Sequence, residues 1–286
     1  MNARRASHSM IRSPTPFLAA DVPATSALAQ AFARVSPHDF RRNGEFARAE
    51  YTCLMSVMRY IFNAPPQPCA AIAGSDARFP VRRIFCVGRN YADHVREMGN
   101  DPKSEPPIFF TKPADAVAES GAAIPYPTLT SNFHHEVELV VAIGKSGAAI
   151  DAGAALDHVW GYGVGVDLTR RDLQGEAKKA GAPWDAAKAF DNSAPVSALT
   201  PVGSSGHLTS GRIWLSVNGE VKQDANIAGM IWSVPEIIAA LSRSWELRAG
   251  DLIFTGTPSG VGPLQRGDEV KAEIEGLSAL KFSIKR

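Results

Sequence analysis

The sequence predicts a mainly β, α+β domain over about residues 81–286, built on a curled or barrel-like sheet with short helices around it. Three observations lead there: many short apolar runs bounded by glycine or proline, an Asn218-Gly219 pair between two strand patterns, and few, short helical patterns. In chain order, "RRIFCVG" is a strand pattern closing on Gly88. "YADHVREMG" follows with helix-forming residues and a Gly99 stop, which predicts one or two helical turns directly after that strand. "PIFFTKP" and "HEVELVVAIGK" are further strands, and "DAGAALDHVWGYGVGVDLT" reads as a helix feeding a glycine-spaced strand. "RRDLQGEAKKAG" is a helical patch ending at Gly181, and the Asn-Gly pair makes "RIWLSVNGEVKQDA" a β-hairpin. "VPEIIAALSRSWEL" is an amphipathic helix with Pro235 near its start. From "GDLIFTGTPSGVG" to the last residue, short strands alternate with glycine turns, and no internal repeat is visible.

At 286 residues and 45% apolar, the chain can bury a substantial core. Thirty basic residues against twenty-nine acidic give a net charge of +1 without a basic stripe, which argues against nucleic acid as a partner. Cys53, Cys69 and Cys86 form no CxxC pair, so neither a disulfide framework nor a thiolate zinc site is expected, and a reducing cytoplasm fits best. The runs "LVVAIG" and "IAGMIWSVPEIIAAL" are too short or too interrupted to span a bilayer, so no membrane is expected as a partner. Residues 1–57 differ from the remainder. "MNARRASHSMIRSPTPF" is rich in Arg and Ser and lacks acids, the composition of a mitochondrial transit peptide. The preferred expectation is a poorly ordered extension over 1–57, a Pro-rich linker or N-terminal segment over 58–80, and a functional chain opening at Met58.

The familiar catalytic signatures are missing: there is no GxSxG elbow, P-loop or GxGxxG after a first strand, and "HHEVE" lacks the second histidine of HExxH. Oxygen-rich binding of a divalent ion is what remains. Glu136 and Glu138 lie two apart at the head of an apolar strand, so they point to one face, and Asp167 ends another strand. Each residue also has an ordinary reading, the glutamates as an exposed strand face and Asp167 as the N-cap of the helix that follows. His94 and Glu97 sit at i and i+3, where the glutamate can fix the imidazole tautomer or simply join a surface salt-bridge lattice. Lys188 is either an ordinary solvated lysine or, beside a metal, a cation for a substrate carboxylate or a developing oxyanion.

"CVGRNYADHVREMG", "KPADAV", "HHEVELVVAIGK", "GYGVGVDLTRRDLQ", "WDAAKAFD" and "LIFTGTPSGVGP" together resemble the fumarylacetoacetate hydrolase family, in that family's order, over roughly residues 80–286. Within it, the chain is most similar to the small acylpyruvate and fumarylpyruvate hydrolases. The resemblance implies the family's β-roll with a lid helix, a homodimer, and Mg2+ or Mn2+ held by Glu136, Glu138 and Asp167. It implies His94 and Glu97 as a water-activating dyad on the lid and Lys188 as the substrate-side cation, with Arg171, Gln174 and Thr257 as substrate contacts. The implied reaction is metal-assisted hydrolysis of a carbon–carbon bond in a β-diketo acid, with fumarylpyruvate giving fumarate and pyruvate. Two alternatives stay open: a lyase or isomerase such as an oxaloacetate decarboxylase on the same site, and a non-catalytic protein that binds a divalent ion.

Overall fold

The strand Val137–Ile143 is buried at every residue, because the sheet that contains it is covered on both faces. Val137, Leu139, Val141 and Ile143 pack into one apolar cluster with Val164 and Val166. Val140 and Ala142 point the other way, into a second cluster with Ile84, Cys86, Leu252 and Phe254. Continuous apolar sequence here is thus two-sided burial, and Glu138 shares the parity of Val140 and Ala142.

The computed structural model describes residues 60–91 and 106–286. The chain divides into two units, Met1–Ala64 and Pro65–Arg286, and the elements below belong to the second. Its largest sheet runs, in spatial order, Ile108–Lys112, Arg83–Gly88, Asp251–Phe254, Val137–Ile143, Val159–Val166, Ala194–Val196 and Val117–Glu119, with Thr200–Pro201 added beside Val159–Val166. A five-stranded sheet orders Glu220–Asn226, Arg212–Val217, Glu269–Ile274, Leu280–Ile284 and Ala123–Ile124. A small third sheet joins Thr169–Arg170, Phe133–His135 and Gly262–Pro263. The fold is mainly β with few, short helices around a curled sheet, as expected.

Several local expectations hold for the stated reasons. Asn218 and Gly219 both take positive φ (52° and 85°), the left-handed pair that a two-residue hairpin turn requires. The helix Arg171–Ala180 ends on Gly181, and Val234–Ser244 opens with a Ser233/Glu236 capping box and proline in its first turn. The helical stretch expected before the glycine-spaced strand is a 3-10 helix, Ala152–His158. The Gly161, Gly163 and Gly165 spacing of that strand is steric: a Cβ at Gly165 would lie 2.5 Å from both the Phe254 ring and Val140. The expected linker over 58–80 contains a β-hairpin, Cys69–Ile72 with Ser75–Pro80, so ordered strand structure starts earlier than the sequence suggested. Residues 1–57 and the helix expected after Tyr91 lie outside the described residues. No helix among the described residues is long and apolar enough to cross a membrane.

Candidate metal and active site

Neighbouring strands bring the three carboxylates together. Val137–Ile143 and Val159–Val166 pair antiparallel with Glu138 opposite Gly165, and two residues further along the Asp167 N–H donates to the Glu136 carbonyl at 2.8 Å. Glu136, Glu138 and Asp167 are 5%, 1% and 1% exposed, and each offers an oxygen within 4.8 Å of the others. An exposed strand face is therefore excluded for the glutamates. The cap reading fails for Asp167 as well, because Arg170 holds the N-cap position of the helix Arg171–Ala180.

Three cations answer the carboxylates. Lys188, itself buried, donates to Glu136 Oε2 (2.7 Å), Asp167 Oδ2 (2.6 Å) and Thr169 Oγ1 (2.7 Å). Arg171 donates to Glu136 Oε1 and, at 2.6 Å, to Gln174 Oε1. Lys112 lies 2.8 Å from Asp167 Oδ1 as an ion pair, but that oxygen has no aligned hydrogen bond. The Lys112 protons go instead to the carbonyls of Leu168, at 3.3 Å, and Lys188. Lys188 thus bonds directly to two of the three carboxylates.

The charges on the triad are uneven. Burial alone would raise the Glu136 carboxyl, yet Lys188 and Arg171 outweigh it and hold that group well below the usual carboxylate range. Burial, then Asp167 and Glu136, pushes Glu138 well above it, because its hydrogen bond is a single 2.7 Å contact from the Gly256 N–H. Lys188 is raised: desolvation opposes its charge, but Asp167 and Glu136 more than offset that cost. A pocket that penalises its third carboxylate, with a buried Asp167 oxygen lacking a hydrogen bond, matches an oxygen-ligated dication. The donor set therefore fits Mg2+ or Mn2+.

Glu136, Glu138, Asp167, Arg171, Gln174, Thr257 and Lys188 all line one cleft. His94 and Glu97 lie outside the described residues. Two further residues shape the site, and sequence reading gave neither a role. One is Lys112, the first residue of "KPADAV". The other is Gln223, 1% exposed, whose amide oxygen accepts from the Val137 N–H (3.0 Å) and contacts His135 Nδ1 (3.0 Å), while its nitrogen donates to Thr257 Oγ1 (2.8 Å) and the Pro258 carbonyl (3.0 Å). It ties the head of the glutamate strand to the Thr257 turn. Replacing Gln223 by leucine strands these polar groups, and a loss of about 1–3 kcal/mol in urea unfolding is expected. Unchanged stability would show that the link is dispensable.

Residues 83–285 match the family described as Fumarylacetoacetate (FAA) hydrolase C-terminal. Oxaloacetate tautomerase FAHD1, mitochondrial, from Mus musculus is 48% identical over 205 residues, which cover 72% of this chain and 92% of that protein. Oxaloacetate decarboxylase, mitochondrial, from Dictyostelium discoideum is 43% identical over 205 residues, 71% of this chain and 94% of that protein. The crystal structure of fumarylpyruvate hydrolase from Pseudomonas aeruginosa in complex with Mn2+ and pyruvate superposes with a TM-score of 0.78 at 49% identity, covering 79% of this chain and 99% of that one.

Proposed function

The chain belongs to the fumarylacetoacetate hydrolase family, and on that premise we propose that it is a Mg2+- or Mn2+-dependent hydrolase of 3-acylpyruvates, with fumarylpyruvate the preferred substrate. The observation that carries this reading is the convergence of Glu136, Glu138 and Asp167 in a cleft also lined by Arg171 and Lys188. The similar Pseudomonas aeruginosa structure contains Mn2+ and pyruvate, a divalent ion beside a 2-oxo acid.

Glu136, Glu138 and Asp167 would hold the divalent cation, which when bound would supply a Lewis acid for a 2-oxo acid. Lys188 and Arg171 keep Glu136 ionised and add positive potential on the same side. Thr257 accepts from Gln223 through its hydroxyl oxygen, so its own proton is available to a substrate oxygen. His94, oriented by Glu97, takes a proton from the water that attacks the distal carbonyl and returns one to the departing three-carbon unit. Assembly as a homodimer is part of the same proposal.

A second reading has its own support: the mouse and Dictyostelium relatives are named for oxaloacetate tautomerisation and decarboxylation. Those reactions need the same polarised 2-oxo acid but no attacking water. The two readings separate in one experiment, in which protein stripped with EDTA is assayed on fumarylpyruvate, maleylpyruvate, acetylpyruvate and oxaloacetate before and after Mn2+ is restored. The hydrolase reading expects fumarate and pyruvate from fumarylpyruvate, lost on stripping and recovered with metal. Turnover confined to oxaloacetate would replace it with the second, and turnover indifferent to EDTA would refute both.

A further inference from the structure

We propose that Lys178 binds the terminal carboxylate of an extended dicarboxylic 2-oxo acid whose carbon chain lies along Phe110 and Trp184. The inference rests on the reading of the carboxylate triad as the anchor of the 2-oxo-acid end.

Arg171, Gln174 and Lys178 occupy i, i+3 and i+7 of the helix Arg171–Ala180, so they share one face, and all three line the cleft. Arg171, at the first turn, is bonded to Glu136. Lys178 stands seven residues further along, which places its backbone about 10 Å up the helix axis from the triad end. Its side chain is exposed at the cleft mouth.

Between those ends runs an aromatic wall. Lys188 Nζ lies 5.2 Å from the centre of the Phe110 ring, Phe110 and Trp184 lie 5.7 Å apart, and Lys178 Nζ lies 5.1 Å from the centre of the Trp184 ring. An inner cation, two rings tilted by 57° to one another and an outer cation therefore follow one another along the cleft. Flat, conjugated carbon chains pack well on such faces.

Length then favours the longer ligand. The seven carbons of fumarylpyruvate, six bonds of about 1.5 Å in zigzag, separate its end carboxyl carbons by roughly 7.5 Å. With the reach of a lysine side chain, that spans triad to Lys178. The four carbons of oxaloacetate cover only about 4 Å, so only a fully extended lysine would meet its second carboxylate. Charge agrees with length. Arg89 lines the cleft as well, held at the left-handed φ of 60°. Partial loss of solvent, then Arg171 and Arg89, hold the Lys178 ammonium below its usual range, so an anion at the mouth is electrostatically favoured.

The test is binding of two inert probes to the full Mn2+-loaded chain by calorimetry: 2-oxoheptanedioate, and 2-oxoheptanoate, which lacks the terminal carboxylate. The wild type is expected to prefer the diacid by about tenfold or more, Lys178→Met to lose most of that preference, and Lys178→Arg to keep it. No preference in the wild type, a preference that survives Lys178→Met, or binding of neither acid overturns the proposal. Fumarylpyruvate turnover is scored separately, so a diacid preference that depends on Lys178 without hydrolysis would sink the hydrolase reading and still support this one.

Discussion

Glu138→Gln is expected to cut metal-dependent turnover by about 10³-fold or more, since an ion that supplies several kcal/mol of transition-state stabilisation loses a charged ligand. The same variant, stripped of metal, is expected to melt at a higher temperature than stripped wild type. Lys188, Arg171 and Lys112 serve Glu136 and Asp167, whereas Glu138 is met by the Gly256 N–H. Without a cation, its charge is buried against two like charges, and this raises its pKa. Glutamine keeps the shape and can still accept from Gly256, and it removes the cost of burying that carboxylate charged or of protonating it on folding. The pairing of lost turnover with gained metal-free stability separates a ligand from a merely structural carboxylate. A lower melting temperature in EDTA, or turnover near the wild-type rate, contradicts the assignment.

His94→Ala carries the second large effect. If His94 activates the attacking water, acylpyruvate hydrolysis falls by about 10²–10⁴-fold. Mn2+ affinity should hardly change, because the proposed ligands are the carboxylates of Glu136, Glu138 and Asp167 and not the imidazole. The other chemistry predicts the opposite pattern. Oxaloacetate decarboxylation or tautomerisation needs no attacking water and is expected to survive the substitution. Steady-state rates on both acids, alongside a metal titration, read the difference, and undiminished hydrolysis would sink the dyad.

Where sequence and structure agree, a local rule was strong enough to act alone. The Asn218-Gly219 turn, the Gly181 helix stop and the Pro235 helix start are short-range signals, and each sits where it was expected. Glu136, Glu138 and Asp167 were legible as a possible cation site because period-two geometry puts the glutamates on one face; their burial was not, since exposure depends on what covers the strand. Lys112 ends a short strand, where a lysine ordinarily reaches water; only the fold places Asp167 beside it. Gln223 was hidden by register. Its strand reads as solvated, and Val221 two residues earlier is exposed, but the ladder shifts between Leu215 and Ser216, so Val221 and Gln223 no longer share a face. The Cys69–Pro80 hairpin escaped notice because its segments are rich in alanine and polar residues, without an alternating apolar pattern. The lysine at the cleft mouth has a similar explanation: Lys178 looks like any helix-surface lysine until Trp184 and Arg89 are placed around it.

If the three carboxylates hold a divalent ion that takes a 2-oxo acid, the ion itself reports on both. Electron paramagnetic resonance of Mn2+ titrated into EDTA-stripped protein, with and without pyruvate, tests that binding most directly. The expected result is one tightly bound Mn2+ per chain, a spectrum that changes when pyruvate is added, and loss of the tight site in Asp167→Ala. Mn2+ that stays free, or a bound signal that pyruvate and Asp167→Ala both leave unmoved, would contradict it.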